Sequence, residues 1–201
     1  MEQNQLFPVF FRLDRLKVLV VGGGHVGTEK MQALFKSSPN AFVVVVAPDI
    51  SNEITQLASQ FPSQVTLYKK KFESSDLDQA DLVIAATADH ALNRSVWEQA
   101  KQKKVLANIA DTPELCDFYL GSIVTKGDLK IAISTNGKSP TLSKRIREML
   151  EEVIPDSVGV ILDRLKEIRD QLKGDFESKI KKMDEITGAM KKEPKGDNEN
   201  K

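Results

Sequence analysis

The segment Val18–Lys30, VLVVGGGHVGTEK, most constrains how this chain can fold, because it sets glycines directly behind a short apolar run. The run is typical of a buried strand, and a helical period follows it. Gly22, Gly24 and Gly27 fit the pattern G-x-G-x-x-G. Between a strand and a helix, this pattern indicates a turn that holds a dinucleotide pyrophosphate. The alternative is a tight strand-to-helix turn that binds no ligand.

Each glycine of the pattern has a separate expected role. Gly22 permits the tight turn, Gly24 lets backbone N–H groups approach a pyrophosphate, and Gly27 allows the helix and strand to pack closely. The N–H groups and the macrodipole at a helix N-terminus favour a bound anion. We therefore predict that the cofactor-binding loop comprises these glycines together with His25 and Val26, which lie between them.

Strand-like and helix-like patterns alternate through residues 17–112, which predicts an NAD-binding Rossmann domain over 1–112. After the first strand, the strand patterns are AFVVVVA, VTLYK, ADLVIAAT and VLANIA. Helical patterns cover 51–61, with Ser51 as N-cap, and 91–103. This alternation predicts an α/β fold with a Rossmann-like, doubly wound parallel sheet. We also expect four aromatic residues to lie in its core: Trp97, Phe7, Phe10 and Phe11.

The pattern changes after Pro113. Two strand patterns meet at Lys126-Gly127-Asp128, which predicts a hairpin. Ser139 as N-cap and Pro140 at the first helical position then predict a helix. We expect a hairpin-helix segment over 113–153, a small helical C-terminal domain over 154–190 and a disordered tail over 191–201. The apolar face of the helix that begins at Pro140 consists of Leu142, Ile146, Met149, Leu150 and Val153.

Composition disfavours several classes of function. The chain has 29 basic and 29 acidic residues among 201, so no overall positive field favours nucleic acid. Its apolar runs are far shorter than the roughly 20 residues that span a bilayer. With one cysteine, Cys116, and two histidines, His25 and His90, a dedicated metal site is not expected. A cytoplasmic protein is the default expectation.

Three further residues are candidates for the cofactor site because each follows a predicted strand. Asp49 follows the second strand, where a carboxylate would bind the ribose of NAD, and no arginine lies there to pair with a 2′-phosphate. Asp49 could equally be a solvated loop residue. Thr87 and Asn108, at the ends of later strands, are expected near the nicotinamide ribose and the nicotinamide.

Asp111 follows the last parallel strand, on the side of the sheet where ligands of such folds bind. Its carboxylate is therefore suitably placed for chemistry. The alternative is a turn aspartate that prepares Pro113.

Several segments together resemble the precorrin-2 dehydrogenase family, the N-terminal module of sirohaem synthases. They cover residues 6–155 in the expected order, although Gly27 stands where that family commonly has alanine. The segments are FPVFFRL, VVGGGHVGTEK, VVAP, VIAATAD with Asn93 following, ANIADTPELCDF and STNGKSPTLSKRIRE.

This resemblance implies NAD-dependent oxidation of precorrin-2 to sirohydrochlorin in sirohaem biosynthesis. It assigns Asp111 to catalysis and Ser139 to the substrate site. It also implies a homodimer, with the hairpin-helix segment as the dimerisation segment. Some relatives insert Fe²⁺ as well, so ferrochelatase activity is open. The alternative from another class is a non-catalytic, dinucleotide-sensing regulatory module.

Overall fold

The computed structural model describes residues 4–188 and contains a five-stranded, fully parallel sheet in the order β3-β2-β1-β4-β5. This is the doubly wound order, in which the chain moves outward from β1 in one direction and then in the other. The Rossmann-like fold class is confirmed. The strands are β1 Lys17–Val21, β2 Phe42–Ala47, β3 Val65–Lys69, β4 Leu82–Ala85 and β5 Leu106–Ile109.

Three helices connect these strands: α1 His25–Ser37, α2 Asn52–Gln60 and α3 His90–Lys103. The Ser51 hydroxyl accepts a hydrogen bond from the Ile54 amide at 3.2 Å, which confirms it as the N-cap of α2. Asp89, whose capping role the sequence pattern did not reveal, caps α3 by accepting from two amides. Each cap satisfies N–H groups that a helix leaves without partners.

The sheet is buried on both faces, which explains why its central strands read as continuous apolar runs. Alternate residues of β1 point to opposite faces, so Val18 and Val20 pack with α1 and α2 while Leu19 and Val21 pack with α3. These four side chains of β1 are at most 2% exposed. Burial of each contributes about 1.5–3 kcal/mol.

The expectation that the N-terminal aromatic residues lie in the core is wrong for Phe7 and Phe10, which are 86% and 67% exposed. Leu13 and Leu16 pack against the core instead, because they immediately precede β1. Phe11 is 40% exposed and contacts the edge of Phe118, with the ring centroids 6.1 Å apart. Trp97 is partly buried against the α3 face of the sheet.

After β5 the chain forms a single 3₁₀ turn, Pro113–Leu115, and the paired strands β6 Ser122–Lys126 and β7 Leu129–Ile133. The helices α4 Pro140–Val153, α5 Val158–Gln171 and α6 Phe176–Thr187 follow. The predicted tail lies outside the described residues.

The chain divides into two compact units. One contains the sheet and extends to Ser122, together with Ile133–Lys144. The other contains Ile123–Ala132 and residues 145–188 of the described chain. The hairpin strands and α4 are thus each divided between the units.

The hairpin turn packs against the start of α5 through backbone atoms. Gly127 has φ +59°, and a Cβ added there would lie 2.9 Å from the Cα of Gly159. Lys126 Nζ donates to Asp156 Oδ1 at 2.6 Å, and this bond lowers the pKa of the Asp156 carboxyl. Gly127 therefore allows an approach that a side chain at this position would prevent.

We expect alanine to destabilise the protein at Gly127 and to be tolerated at Gly159. Gly127→Ala should lower the free energy of unfolding by about 1–2 kcal/mol, because it combines a left-handed φ with a steric overlap. At Gly159 an added Cβ would lie 3.4 Å from the nearest atom. Gly159→Ala should therefore change stability by less than about 0.5 kcal/mol. Chemical denaturation of both variants measures this difference, and equal destabilisation would contradict it.

Candidate functional site

The ends of four parallel strands bring the predicted cofactor residues to one edge of the sheet. Backbone pairing aligns Val21 with Val46 and Ala85, and Ala85 with Ile109. The glycine loop and the loops that carry Asp49, Thr87 and Asp111 leave from this edge. β1 and β5 are two strand spacings apart, so the glycine loop and the loop of Asp111 begin about 10 Å apart.

The fold requires glycine at two of the three pattern positions, whether or not a ligand binds. Gly22 has φ +124°, and a Cβ there would lie 2.4 Å from the carbonyl oxygen of Ala86, at the end of β4. A Cβ at Gly27 would lie 2.3 Å from the carbonyl oxygen of Gly22. Backbone atoms cannot move aside as the end of a side chain can. These glycines hold the loop tightly against β4 and against the start of α1.

Gly24 has a different environment, since an added Cβ would meet no atom within 4 Å. It is the N-cap of α1 but has no side chain to cap the helix. The first helical bond runs from the Thr28 amide to the Gly24 carbonyl at 2.9 Å. Within residues 4–188, the amides of His25 and Val26 have no acceptor. The open space and the free amides fit a pyrophosphate.

The His25 side chain is 86% exposed beside this helix start, and its Nε2 lies 3.6 Å from Glu29 Oε1. Val26 is partly buried and packs against the core. The backbone N–H groups of both residues are thus presented by a segment that Val26 packs against the core and that is open to solvent at His25.

Thr87 is held by Asn93, a residue to which the sequence analysis gave no role. The Asn93 side chain accepts from the Thr87 amide at 3.2 Å and hydroxyl at 2.7 Å, and donates to the Thr87 carbonyl at 3.0 Å. Asn93 is 2% exposed. A signal was present, because Asn93 shares the inward-facing phase of α3 with Val96 and Ala100. Asn93 fixes the loop that touches Gly22.

The loop that carries Asp111 is closed by the side chains that follow it. Cys116 Sγ accepts from the Ile109 amide at 3.2 Å, and Asn108 Nδ2 donates to the Phe118 carbonyl at 2.8 Å. Burial raises the pKa of the Cys116 thiol. Cys116 and Asn108 therefore fix residues 116–118 against the end of β5. The Asn108 N–H₂ group, predicted to lie near the nicotinamide, is engaged in this structural bond.

Asp111 is exposed and has φ +58°, in the left-handed region that few residues other than glycine adopt. Within the described part of the chain, its carboxylate forms no hydrogen bond or ion pair. Asp49 is likewise exposed and without such a partner among residues 4–188. Two unpaired carboxylates thus follow strands at the same edge as the glycine loop.

Ser139 caps α4, as the sequence predicts. Its hydroxyl oxygen accepts from the Leu142 amide at 3.1 Å, and its own amide donates to Thr135 Oγ1 at 3.2 Å. The Ser139 side chain is half-buried. The hydroxyl proton is not used by the cap, so Ser139 can donate to a ligand while the helix start stays intact.

Residues 4–188 contain no group of three or more histidine, cysteine, aspartate or glutamate residues that could hold a metal ion. Over the same range, every helix is too short or too polar to cross a bilayer.

Comparison with known proteins identifies the family. Residues 9–122 match a family model of NAD(P)-binding domains, and residues 126–152 match that of the central part of sirohaem biosynthesis proteins. The solved structure of SirC, a precorrin-2 dehydrogenase, is similar over 90% of this chain and 89% of its own, with 30% identity and a TM-score of 0.71. The chain belongs to the precorrin-2 dehydrogenase family.

Curated relatives in this family are longer proteins. The chain is 38% identical over 178 residues to a sirohaem synthase of Pseudoalteromonas atlantica, and 39% identical over 167 residues to one of a Psychrobacter species. These matches cover 89% and 83% of this chain but 38% and 34% of the relatives. The chain therefore spans about a third of the length of the sirohaem synthases it matches.

Measurements of stability alone can test the difference between Gly22 and Gly24 in this member of the precorrin-2 dehydrogenase family. Gly22→Ala should lower the free energy of unfolding by at least about 2 kcal/mol, because it adds backbone strain and an overlap with Ala86. Gly24→Ser should be neutral or stabilising by a few tenths of a kcal/mol, since serine is a good N-cap. Thermal unfolding without ligand measures both. A Gly24→Ser variant as unstable as Gly22→Ala would show that the protein itself requires glycine at position 24.

Proposed function

We propose that this chain oxidises precorrin-2 to sirohydrochlorin with NAD⁺ as the oxidant. The observation that carries the proposal is the shared sheet edge, where an open pyrophosphate loop follows β1 and the unpaired Asp111 carboxylate follows β5, two strand spacings away, in a member of this family. The reaction removes two electrons as a hydride and releases one proton. The nicotinamide ring, when bound, is the hydride acceptor.

The cofactor is held by backbone groups and one carboxylate. The amides of His25 and Val26 bind the pyrophosphate, and Gly24 leaves the space that it fills. Asp49 accepts from the 2′-hydroxyl of the adenosine ribose. Because a carboxylate repels a 2′-phosphate, Asp49 favours NAD over NADP. The loop of Thr87 borders the ribose on the nicotinamide side, and that of Asn108 borders the nicotinamide.

The substrate is a macrocycle with many carboxylates, and two residues act on it. Asp111 accepts the proton that the macrocycle loses, a task for an exposed carboxylate that has no competing protein partner. Ser139 donates its hydroxyl proton to a substrate carboxylate from the start of α4, where the helix dipole adds to the attraction. Neither contact requires a hydrogen bond of the fold to be broken.

The experiment follows the absorbance of precorrin-2 with NAD⁺ in the presence of wild type and Asp111→Asn. Asparagine has the same shape and tolerates the left-handed conformation, so the variant should fold and bind NAD normally. Its turnover should fall about 100-fold or more, because the proton acceptor is lost. Near-normal turnover would remove Asp111 from the mechanism.

Gly24→Ser is the matched cofactor variant in this assay. Its added hydroxyl occupies the pyrophosphate space and accepts from one of the amides. The Kd for NAD should therefore rise, while the free energy of unfolding should not fall. A regulatory dinucleotide sensor would instead bind NAD in the wild type and leave the precorrin-2 spectrum unaltered. Sirohydrochlorin supplied with Fe²⁺ and without NAD tests iron insertion separately.

We propose in addition that a second copy of the chain covers α4. Leu142, Met149 and Val153 are 51%, 54% and 71% exposed. Together with Ile146 they repeat at intervals of three and four residues, as in the seam between paired helices. An isolated apolar stripe of this kind is typical of a contact surface between proteins.

If the stripe mediates dimerisation, sedimentation should give twice the monomer mass of 22.4 kDa for wild type. The double variant Met149→Glu, Val153→Glu should sediment as a monomer, because each buried charge would lack a partner. Tyr68→Glu, at an equally exposed position on β3, is the control and should remain dimeric. A double variant that stays dimeric would place the interface elsewhere.

A further inference from the structure

The glycine loop contains a glycine that the G-x-G-x-x-G pattern does not require. A Cβ at Gly23 would lie 2.2 Å from the carbonyl oxygen of Asp49 and 2.9 Å from the Cα of Ile50. The Gly23 carbonyl also accepts from the Ser51 amide at 2.9 Å. The pyrophosphate loop is therefore in direct backbone contact with the β2–α2 loop, which carries the carboxylate expected at the ribose.

Two hydroxyl groups form a second link between the same loops. Thr28 Oγ1 lies 3.1 Å from the carbonyl oxygen of Gly24 and 3.1 Å from Ser51 Oγ. The Gly24 carbonyl can only accept, so the single Thr28 hydroxyl proton points to it. Ser51 must then donate to Thr28, while the Ser51 oxygen accepts from the Ile54 amide. The hydroxyls thus form a chain with one direction, from Ser51 through Thr28 to Gly24.

The chain of hydroxyls is sheltered from water, because Thr28 is 7% exposed and Ser51 is half-buried. Its last hydrogen bond ties the Gly24 carbonyl to the Thr28 hydroxyl. It also couples the N-cap of α2 to the first turn of α1, which follows the pyrophosphate loop. We call the contacts of Gly23, Thr28 and Ser51 the loop clasp.

We propose that the loop clasp determines the selectivity for NAD over NADP by fixing the distance between the Asp49 carboxylate and the pyrophosphate amides. This inference rests on the proposed function, in which both groups bind one dinucleotide. A carboxylate on a mobile loop can move away from a 2′-phosphate and therefore discriminates little between NAD and NADP. A carboxylate held in place must repel it. Thr28 and Ser51 are accordingly positioning residues that act through Asp49.

The test compares the Kd values for NAD and NADP in wild type, Thr28→Val, Thr28→Ser and Ser51→Ala, using the full chain. Valine keeps the shape of threonine but removes its hydroxyl. Thr28→Val and Ser51→Ala should each lower the ratio of NADP to NAD dissociation constants about three- to tenfold, the effect of one hydrogen bond. Thr28→Ser keeps the hydroxyl and should retain the wild-type ratio.

Thr55→Val is the matched control. Thr55 Oγ1 donates to the Ser51 carbonyl at 3.0 Å within the first turn of α2, but within residues 4–188 it forms no hydrogen bond to the glycine loop. Its removal should leave the ratio unchanged even if it weakens α2. Thermal unfolding without nucleotide shows whether each variant is folded at the assay temperature.

The outcomes separate the two proposals. If the wild type binds neither nucleotide, the proposed function fails. If it prefers NAD and both Thr28→Val and Ser51→Ala keep the wild-type ratio, the loop clasp does not set selectivity. A fall in affinity for both nucleotides by the same factor would likewise overturn the inference, since it indicates a structural role alone.

Discussion

The site depends on one close approach between backbones, where Gly22 meets the carbonyl of Ala86 at the end of β4. This contact lies between β1 and β4, the two strands at which the chain reverses its direction across the sheet. The Gly22 amide donates to the Val46 carbonyl and the Ala86 amide to the Val21 carbonyl, at 3.0 and 2.8 Å. A side chain at position 22 would force these strand ends apart. The loops that follow them would then no longer share one edge.

Buried and half-buried side chains fix three loops at this edge and take no part in the proposed chemistry. Asn93 holds the loop after β4, Cys116 closes the loop after β5, and Ser51 ties the loop after β2 to the glycines. All of their hydrogen bonds are made within the protein. At this edge, the amides at the start of α1 and the carboxylates of Asp49 and Asp111 have no partner among residues 4–188. Residues whose polar groups are hydrogen-bonded within the protein support the loops, whereas groups without such partners are available to ligands.

The sequence predicts features whose cause lies within a few residues. The Ser51 and Ser139 caps follow from a hydroxyl residue beside a helical period, and the hairpin follows from a glycine between two strand patterns. Features that depend on distant contacts were predictable only in part. The helical period places Asn93 on the inward face of α3, but the loop that Asn93 holds is seen only in the folded chain. Phe7 and Phe10 are apolar, but only the three-dimensional path of the chain shows that Leu13 and Leu16 fill the core in their place.

The backbone at Asp111 argues against the simple turn role. A turn aspartate stabilises its loop when the carboxylate accepts a nearby N–H group, and within the described residues Asp111 accepts none. Glycine would adopt φ +58° without strain, so the local backbone favours glycine over aspartate at this position. Aspartate adopts this conformation more readily than most residues because its side chain can hydrogen-bond locally, but Asp111 makes no such bond within residues 4–188. A solvent-exposed carboxylate that does not stabilise its own loop is available to a ligand, which is the role proposed for it.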